Sequence, residues 1–354
     1  MNAGKASSSI RFLAGLLGAS AVLAGCVTAR LNLSDLPEQP IAVQYWSVED
    51  ARKRTEIIEE ASKKKSPGPV REGVARLEDL GSLVGLGDAG SRSSLRRFPG
   101  YLGLVDPRTG EIERVEAAPP GSRPLSWSAD GLRLMFVRQD APGMLQLFEY
   151  DRSSREVRRL TSGPRMHPVG AYGPGDQMAY LAVSVKKRNT GLSLTVAGRH
   201  GEDPRTIVEG IGTDEVAWSE VGGGTLVYVK YMRRPGKREP VGYLVSQGTA
   251  TGAEARVLGP GKDPAFSPDG QWIVYTGPEG DSTRLLRMRW NGSGRSPVGQ
   301  KERTESDPSI SPGGQYVVYV GSETGRTDRL FVRRFDGTGD RVLIADGGFA
   351  EPVW

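Results

Sequence analysis

Residues 264–275 read Pro-Ala-Phe-Ser-Pro-Asp-Gly-Gln-Trp-Ile-Val-Tyr. A short apolar run, a Ser-Pro-Asp-Gly turn and a second apolar run are typical of two antiparallel strands joined by a tight connection. Four other segments of the chain have the same layout, and a sixth stops after its first run. The six segments are Leu125–Gly131, Gly170–Asp176, Val216–Gly222, Pro264–Gly270, Pro308–Gly314 and Glu351–Trp354.

Each segment carries one large residue in its first run, and these residues recur at intervals of 44 to 48 positions. They are Trp127, Tyr172, Trp218, Phe266, Ile310 and Trp354. A second series follows 8 to 10 positions later, with Phe136, Tyr180, Tyr228, Tyr275 and Tyr319. Two further strand-like runs complete most units, as in Leu145–Tyr150 and Glu156–Leu160. Four short strands in about 45 residues predict one blade of a β-propeller.

The residue before each large residue has a small side chain in all six units. These residues are Ser126, Ala171, Ala217, Ala265, Ser309 and Val353. First strands crowd around the axis of a propeller, which excludes bulk at this position, whereas a linear stack of repeats imposes no such limit. The sequence therefore predicts an all-β fold, a six-bladed β-propeller over residues 81–354.

The incomplete sixth unit predicts how the ring closes. Glu351–Trp354 would form the innermost strand of a blade whose other strands come from the beginning of the propeller. Gly100–Val105 and Glu111–Val115 are two of those strands, and Ser82–Leu86 is the candidate for the strand between them and the C-terminal one. When strands from both ends of the chain share one blade, the ring closes. Every innermost strand then has a neighbour on each side.

The first 25 residues predict a lipoprotein signal peptide. Basic residues precede the apolar run Phe12–Ala24, which is too short to span a bilayer but suits a signal peptide. The run ends in Leu23-Ala-Gly-Cys26, which resembles the lipobox of bacterial lipoproteins, so Cys26 is the predicted lipidation site. An ordinary secretory signal with an accidental cysteine is the alternative. Val27 in place of an aspartate favours the outer membrane, with the protein facing the periplasm.

Residues 26–80 are predicted to be a lipid-anchored tether that contains a helix over residues 48–65. Ser47 with Asp50 three positions later is typical of a helix N-terminus, and the Ser66–Pro69 stretch cannot continue a helix. The helix has few apolar residues. It is either a solvated spacer between lipid and propeller or a surface for a partner.

The composition excludes several classes of function. The formal net charge is only +5, which argues against nucleic acid as the main partner. One cysteine and two histidines leave no disulfide framework and no multi-cysteine metal site. The sequence contains no hydrolase, zinc-protease or nucleotide-binding motif. We therefore predict that the protein is not an enzyme and needs no cofactor.

Four consecutive units carry a carboxylate three positions before the large residue. These residues are Glu215, Asp263, Asp307 and Glu351. In a ring they would meet at one mouth of the central channel, with Arg123 and His167 from the other two full units nearby. Such an acidic rim would attract a basic peptide or a hard cation such as calcium. The alternative is structural, with each carboxylate accepting backbone N–H groups and fixing the turn between blades.

The turns Ser128–Gly131 and Ser267–Gly270, and the pairs Asp263-Pro264 and Asp307-Pro308, resemble the repeats of the TolB propeller family. The resemblance covers residues 81–354, which correspond to the C-terminal propeller domain of that family. It implies a propeller fold and binding to other envelope proteins, such as the peptidoglycan-associated lipoprotein. The chain departs from the family in having a lipobox and only a short segment before the propeller.

Two classes of function follow from these observations. The first is a non-enzymatic envelope lipoprotein, a monomeric propeller that binds another envelope protein or peptide as a scaffold. The second is a propeller hydrolase, lyase or carbohydrate-binding module that acts on envelope glycans, using carboxylates at the channel mouth or exposed aromatic residues.

Overall fold

The computed structural model describes residues 31–64, 99–142, 144–186, 189–211, 213, 215–219, 224–232, 240–250, 252–279, 282–300, 303–322 and 328–354. The signal peptide, Cys26 and the Ser82–Leu86 run lie outside these residues, so the predictions of a signal peptide and of lipidation at Cys26 remain predictions. Among the described residues, no helix is both long enough and apolar enough to cross a bilayer.

The described residues form 24 strands and one α-helix. In chain order the strands are β1 Ile41–Trp46, β2 Tyr101–Val105, β3 Ile112–Arg114, β4 Arg123–Trp127, β5 Arg133–Ala141, β6 Met144–Asp151, β7 Val157–Arg159, β8 Gly170–Tyr172, β9 Met178–Lys186, β10 Asn189–Ala197, β11 Arg205–Glu209, β12 Val216–Ser219, β13 Thr225–Met232, β14 Val241–Gly248, β15 Ala255–Pro260, β16 Lys262–Phe266, β17 Trp272–Glu279, β18 Ser282–Arg289, β19 Ser296–Pro297, β20 Thr304–Ile310, β21 Tyr316–Ser322, β22 Arg329–Arg334, β23 Arg341–Ile344 and β24 Gly348–Val353. Helix α1 spans Val48–Lys64.

These strands form six antiparallel sheets of four strands each. Blade 1 has the order β24-β1-β2-β3, and blades 2 to 6 take β4–β7, β8–β11, β12–β15, β16–β19 and β20–β23 in sequence. The innermost strands contact one another in a closed cycle, β4 to β8, β12, β16, β20, β24 and back to β4. The six-bladed β-propeller predicted from the repeat is confirmed.

The closing blade differs from the prediction in its second strand. Strand β1, not Ser82–Leu86, pairs with β24 on one side and β2 on the other. Ile41, Ala42 and Val43 are fully buried, as expected of a continuous apolar run covered on both faces. Residues 41–46 therefore belong to the propeller and not to a tether, which moves the predicted start of the propeller at residue 81 towards the N-terminus.

Helix α1 begins two residues after β1, so it follows a propeller strand instead of separating a lipid from the propeller. The predicted N-terminal cap is present, because the Asp50 N–H donates to Ser47 Oγ at 3.1 Å. Ala51 is buried, and the Arg54 guanidinium lies 4.2 Å from the centre of the Trp46 ring. The helix is therefore attached to blade 1 at its N-terminal end.

The core lies between neighbouring blades. Five of the six repeated large residues are buried and pack in clusters formed by two adjacent sheets, while Phe266 is half-buried. Trp127, for example, packs with Leu102 and Leu104 of blade 1 and with Phe136 of its own blade. Burial of each such side chain stabilises the fold by about 1.5–3 kcal/mol.

Gly173 occupies a position where the other full units have serine, and the packing explains this. A Cβ atom at Gly173 would lie 2.1 Å from Trp218 Cδ2 of the next blade. We expect Gly173→Ala to lower the free energy of unfolding by about 1–3 kcal/mol, because the tryptophan must move out of a packed interface. Gly191→Ala is the matched control, since its nearest neighbour would be Ser184 Cβ at 3.7 Å. Urea unfolding in which the two variants behave alike would contradict this account.

Candidate binding site

One end of the central channel opens into a cavity of about 270 Å³ with acidic walls. Four carboxylate residues line it, together with Arg123 and four prolines of the innermost strands. The four are the predicted residues Glu215, Asp263, Asp307 and Glu351. The structure therefore brings together five of the six residues that we placed at the channel mouth. We call this cavity and its four carboxylates the acidic mouth.

The backbone at three of these carboxylates is unusual. Asp263, Asp307 and Glu351 have φ values of 50°, 49° and 50°, in the left-handed region that non-glycine residues seldom occupy. Each precedes a proline, and the strand register shifts at Asp263 and Asp307, in the first strands of blades 5 and 6. A bulge of this kind turns a side chain out of the regular strand alternation. Backbone strain of this type concentrates at functional sites.

Backbone N–H groups link the carboxylates around the ring. The Asp263 N–H donates to the Glu215 carboxylate, and the Asp307 N–H donates to Asp263 Oδ2 at 3.4 Å. Glu215 and Asp263 thus each accept from the equivalent residue of the next blade. This is the turn-fixing arrangement that the sequence offered as an alternative.

The charges of the acidic mouth are only partly compensated. Arg123 Nη1 lies 2.5 Å from Glu351 Oε1, but Glu351 Oε2 is buried and has no hydrogen-bond partner in the described part of the chain. Burial raises the pKa of Asp307 well above its usual value, and the neighbouring charges of Asp263 and Glu351 raise the pKa further. The site therefore favours an incoming positive charge.

The raised pKa of Asp307 predicts a pH-dependent stability. Because the folded state holds the proton more tightly than the unfolded state, this group stabilises the fold most below pH 3.8 and less as the pH rises through its folded-state pKa. We expect Asp307→Asn to remove this decline and to raise the melting temperature at neutral pH by a few degrees, since asparagine tolerates a positive φ. Parallel melting profiles of the variant and the wild type from pH 4 to 8 would contradict this explanation.

His167 does not reach the mouth, and its prediction as a mouth residue is wrong. Its side chain is only 5% exposed, with Nδ1 3.0 Å from Gln146 Oε1 and the ring packed edge-on against Tyr180. Burial, with help from the nearby positive charges of Arg165 and Arg159, lowers the pKa of His167 to about 4. The histidine is two positions before Val169, the blade 3 residue equivalent to the carboxylates, so it lies outside their register.

Sequence reasoning missed one positive charge near the acidic mouth. Lys262 immediately precedes Asp263, and its positive charge acts to lower the pKa of Asp307. A lysine next to the Asp-Pro pair was the available signal. The described residues contain no group of three or more histidine, cysteine, aspartate or glutamate side chains arranged to hold a metal ion.

Comparison with known structures tests the fold. The structure is similar to a putative TolB from Agrobacterium tumefaciens, with a TM-score of 0.55 and 19% identity over 67% of this chain and 86% of that chain. TolB from Acinetobacter baumannii gives a TM-score of 0.56 and 19% identity over 72% of this chain and 62% of that chain. The fold is that of a TolB-like propeller. No family model and no curated protein sequence matches the chain.

The TolB likeness confirms the predicted resemblance at the level of the fold. A sequence identity of 19% supports a shared architecture, but it does not show that this chain binds the partners of TolB. Hydrazine synthase from Kuenenia stuttgartiensis has a similar propeller, with a TM-score of 0.54 and 13% identity over 72% of this chain and 43% of that chain. Because both TolB and an enzyme contain this fold, the function must be argued from the acidic mouth.

Proposed function

We propose that the protein is an envelope lipoprotein, anchored to the outer membrane through Cys26 and facing the periplasm, whose propeller binds a basic segment of another envelope protein. The propeller acts as a monomeric scaffold and catalyses no reaction. The supporting observation is the convergence of four carboxylates on one small cavity, with Arg123 and Lys262 as the nearby positive charges. The TolB-like fold is consistent with a protein-binding scaffold.

The size and charge of the acidic mouth specify what it accepts. A cavity of about 270 Å³ admits one or two side chains and excludes a folded domain. A lysine or arginine side chain would place its charge between Asp307 and Glu351, both of which line the cavity. The partner therefore presents an exposed loop or terminus with a basic residue at its tip.

A synthetic peptide of alternating lysine and alanine residues, measured by titration calorimetry, tests the mouth. We expect binding that weakens about tenfold for each carboxylate neutralised, in Asp307→Asn and Glu351→Gln, because each change removes a charge-assisted contact. Glu156→Gln is the control, since Glu156 is exposed on an outer turn of blade 2. Equal affinity of all four proteins would overturn the assignment of the mouth. Cross-linking in native membranes then identifies the natural partner.

Hydrolysis or cleavage of envelope glycans is the second candidate. One observation favours it: Asp307, with a raised pKa, lies beside Asp263, which is the pairing of a general acid with a general base. Against it, Asp263 Oδ2 already accepts the Asp307 N–H. Release of soluble fragments from purified peptidoglycan by the wild type, and its loss in Asp307→Asn, would favour the enzyme over the scaffold.

A further inference from the structure

The turn between the third and fourth strands of blade 5 differs from its counterparts. In blades 1, 2 and 6 an aspartate caps this turn, as when Asp336 Oδ1 accepts the Thr338 N–H. In blade 5 the neutral Asn291 does the same for the Ser293 N–H at 3.0 Å. The blade 5 turn, residues 289–295, reads Arg-Trp-Asn-Gly-Ser-Gly-Arg and contains no carboxylate. Its charge is therefore entirely positive.

The same turn exposes a large aromatic side chain. The residues that precede the capping aspartates of blades 1 and 2, Val105 and Tyr150, are buried, whereas Trp290 before Asn291 is 44% exposed. Val257, on the outer strand β15 of the neighbouring blade 4, is 55% exposed. Neither side chain is needed to fill a core position, so both are available to a partner.

Three exposed arginines lie around Trp290, and each of them contacts an uncharged group. Arg256 Nη1 donates to Asn291 O at 3.4 Å, Arg295 Nη2 donates to Leu258 O at 3.1 Å, and the Arg289 guanidinium lies 4.1 Å from the centre of the Trp272 ring. None of the three forms an ion pair with a carboxylate of the described chain. We call Arg256, Arg289, Trp290 and Arg295 the Arg–Trp surface.

The Arg–Trp surface lies on the side of the propeller opposite the acidic mouth. The Trp290 N–H donates to Gln271 O at 3.1 Å, directly after the turn whose Ser267 and Pro268 line the cavity at the other end of the channel. Gln39 lines that same cavity, and its carbonyl accepts from Trp354 Nε1 at 2.9 Å. The N-terminal segment therefore approaches the propeller from the side that carries the Arg–Trp surface.

The length of chain between the predicted lipid attachment point and Leu31 limits how far the membrane could lie from this side. Cys26 precedes the buried Leu31 by five residues, which span at most about 17 Å when fully extended. A lipid on Cys26 would hold the membrane within that reach. Tryptophan and arginine are suited to such a surface, because indole rings partition to the headgroup region and arginines attract anionic lipids.

We propose that the Arg–Trp surface binds anionic phospholipid headgroups and directs the acidic mouth away from the membrane. This inference rests on the lipid anchor of the proposed function. A single tether permits the propeller to roll in any direction, and a second contact on the same side fixes its orientation. The acidic mouth is then presented to partners that approach from the periplasm.

Tryptophan quenching tests the contact. The lipidated full-length protein is reconstituted in vesicles of phosphatidylcholine, with or without phosphatidylglycerol, that contain phospholipids brominated near the headgroup. The difference between wild type and Trp290→Phe isolates the signal of Trp290. We expect quenching of Trp290 in the anionic vesicles only. Arg289→Gln/Arg295→Gln should weaken docking about thirtyfold, at roughly fivefold for each arginine.

The controls separate this inference from the anchor itself. Arg165→Gln/Lys230→Gln removes the same charge from exposed residues on the side of the acidic mouth and should leave the quenching unchanged. Protein that stays in the vesicles without quenching of Trp290 would overturn the membrane contact and leave the anchor intact. Protein that fails to enter the vesicles, with Cys26→Ala behaving alike, would overturn the anchor. A response of Trp290 to soluble polygalacturonate but not to vesicles would assign the surface to anionic glycans and overturn the membrane contact.

Discussion

Removal of residues 348–354 is expected to abolish the cooperative unfolding transition of the propeller. Strand β24 is the innermost strand of blade 1, and it contacts both β20 of blade 6 and β4 of blade 2. Phe349 and Trp354 are both buried between blades 1 and 6. Loss of two such aromatic side chains costs about 6–10 kcal/mol, which approaches the whole stability of an ordinary domain. Differential scanning calorimetry of the truncated protein measures the effect.

Two point variants set the scale for this truncation. Trp354→Ala removes one aromatic side chain and keeps the strand, so we expect a loss of about 3–5 kcal/mol and a cooperative transition at a lower temperature. Val257→Ala changes an exposed residue on β15 and should alter stability by about 0.5 kcal/mol or less. A truncated protein that melts at the wild-type temperature would show that the ring does not depend on β24 for closure.

The propeller was predictable from the repeat because each of the six blades has the same packing requirements. A small residue faces the axis and a large one fills the space between blades, so both series recur at blade length. The choice of β1 for the closing blade was not predictable in this way. Ile41–Trp46 and Ser82–Leu86 are both short strand-like runs. Because β1 pairs with β2 across the whole segment between them, no local sequence pattern shows which of the two runs forms the strand.

The acidic mouth was predictable in composition but not in electrostatics. Asp263, Asp307 and Glu351 share one register position, and a ring must bring equivalent positions together. His167 does not occupy this register position, and its side chain packs against Tyr180. The raised pKa of Asp307 and the unpaired Glu351 Oε2 depend on distances that no sequence pattern contains.

The sequence also did not predict a buried ion cluster that lies between blades 5 and 6. Arg333 and Glu305 are both 0% exposed, and Arg333 Nη2 lies 3.4 Å from Glu305 Oε1 and 3.0 Å from Asp340 Oδ1. Arg333 Nη1 donates to Val298 O of blade 5 at 2.6 Å. Glu305 accepts the N–H groups of Leu285 and Gln300, also of blade 5. Arg333 thus pairs with both carboxylates and links the two blades, and Arg303 Nη1 also lies 2.9 Å from Asp340 Oδ2.

Arg333→Met should lower the free energy of unfolding by about 3–5 kcal/mol at neutral pH. The substitution keeps most of the side-chain volume but leaves Glu305 buried without its ion-pair partner, which is the costly way to break an internal ion pair. Arg165→Met is the matched control, because Arg165 is exposed and forms no ion pair within the described chain, and it should change stability by about 0.5 kcal/mol or less. Urea unfolding at pH 7 compares the two variants.

The pH dependence of that loss identifies its cause. Burial already raises the pKa of Glu305 in the wild type, while the positive charge of Arg333 acts to lower it. Without Arg333 the folded-state pKa rises further, so the variant binds a proton more tightly when folded than when unfolded. Its stability is then greatest below the unfolded value of 4.5 and declines as the pH rises through the folded-state pKa. The deficit relative to wild type should therefore be smaller at pH 5 than at pH 8, whereas a deficit from lost packing alone would be the same at both.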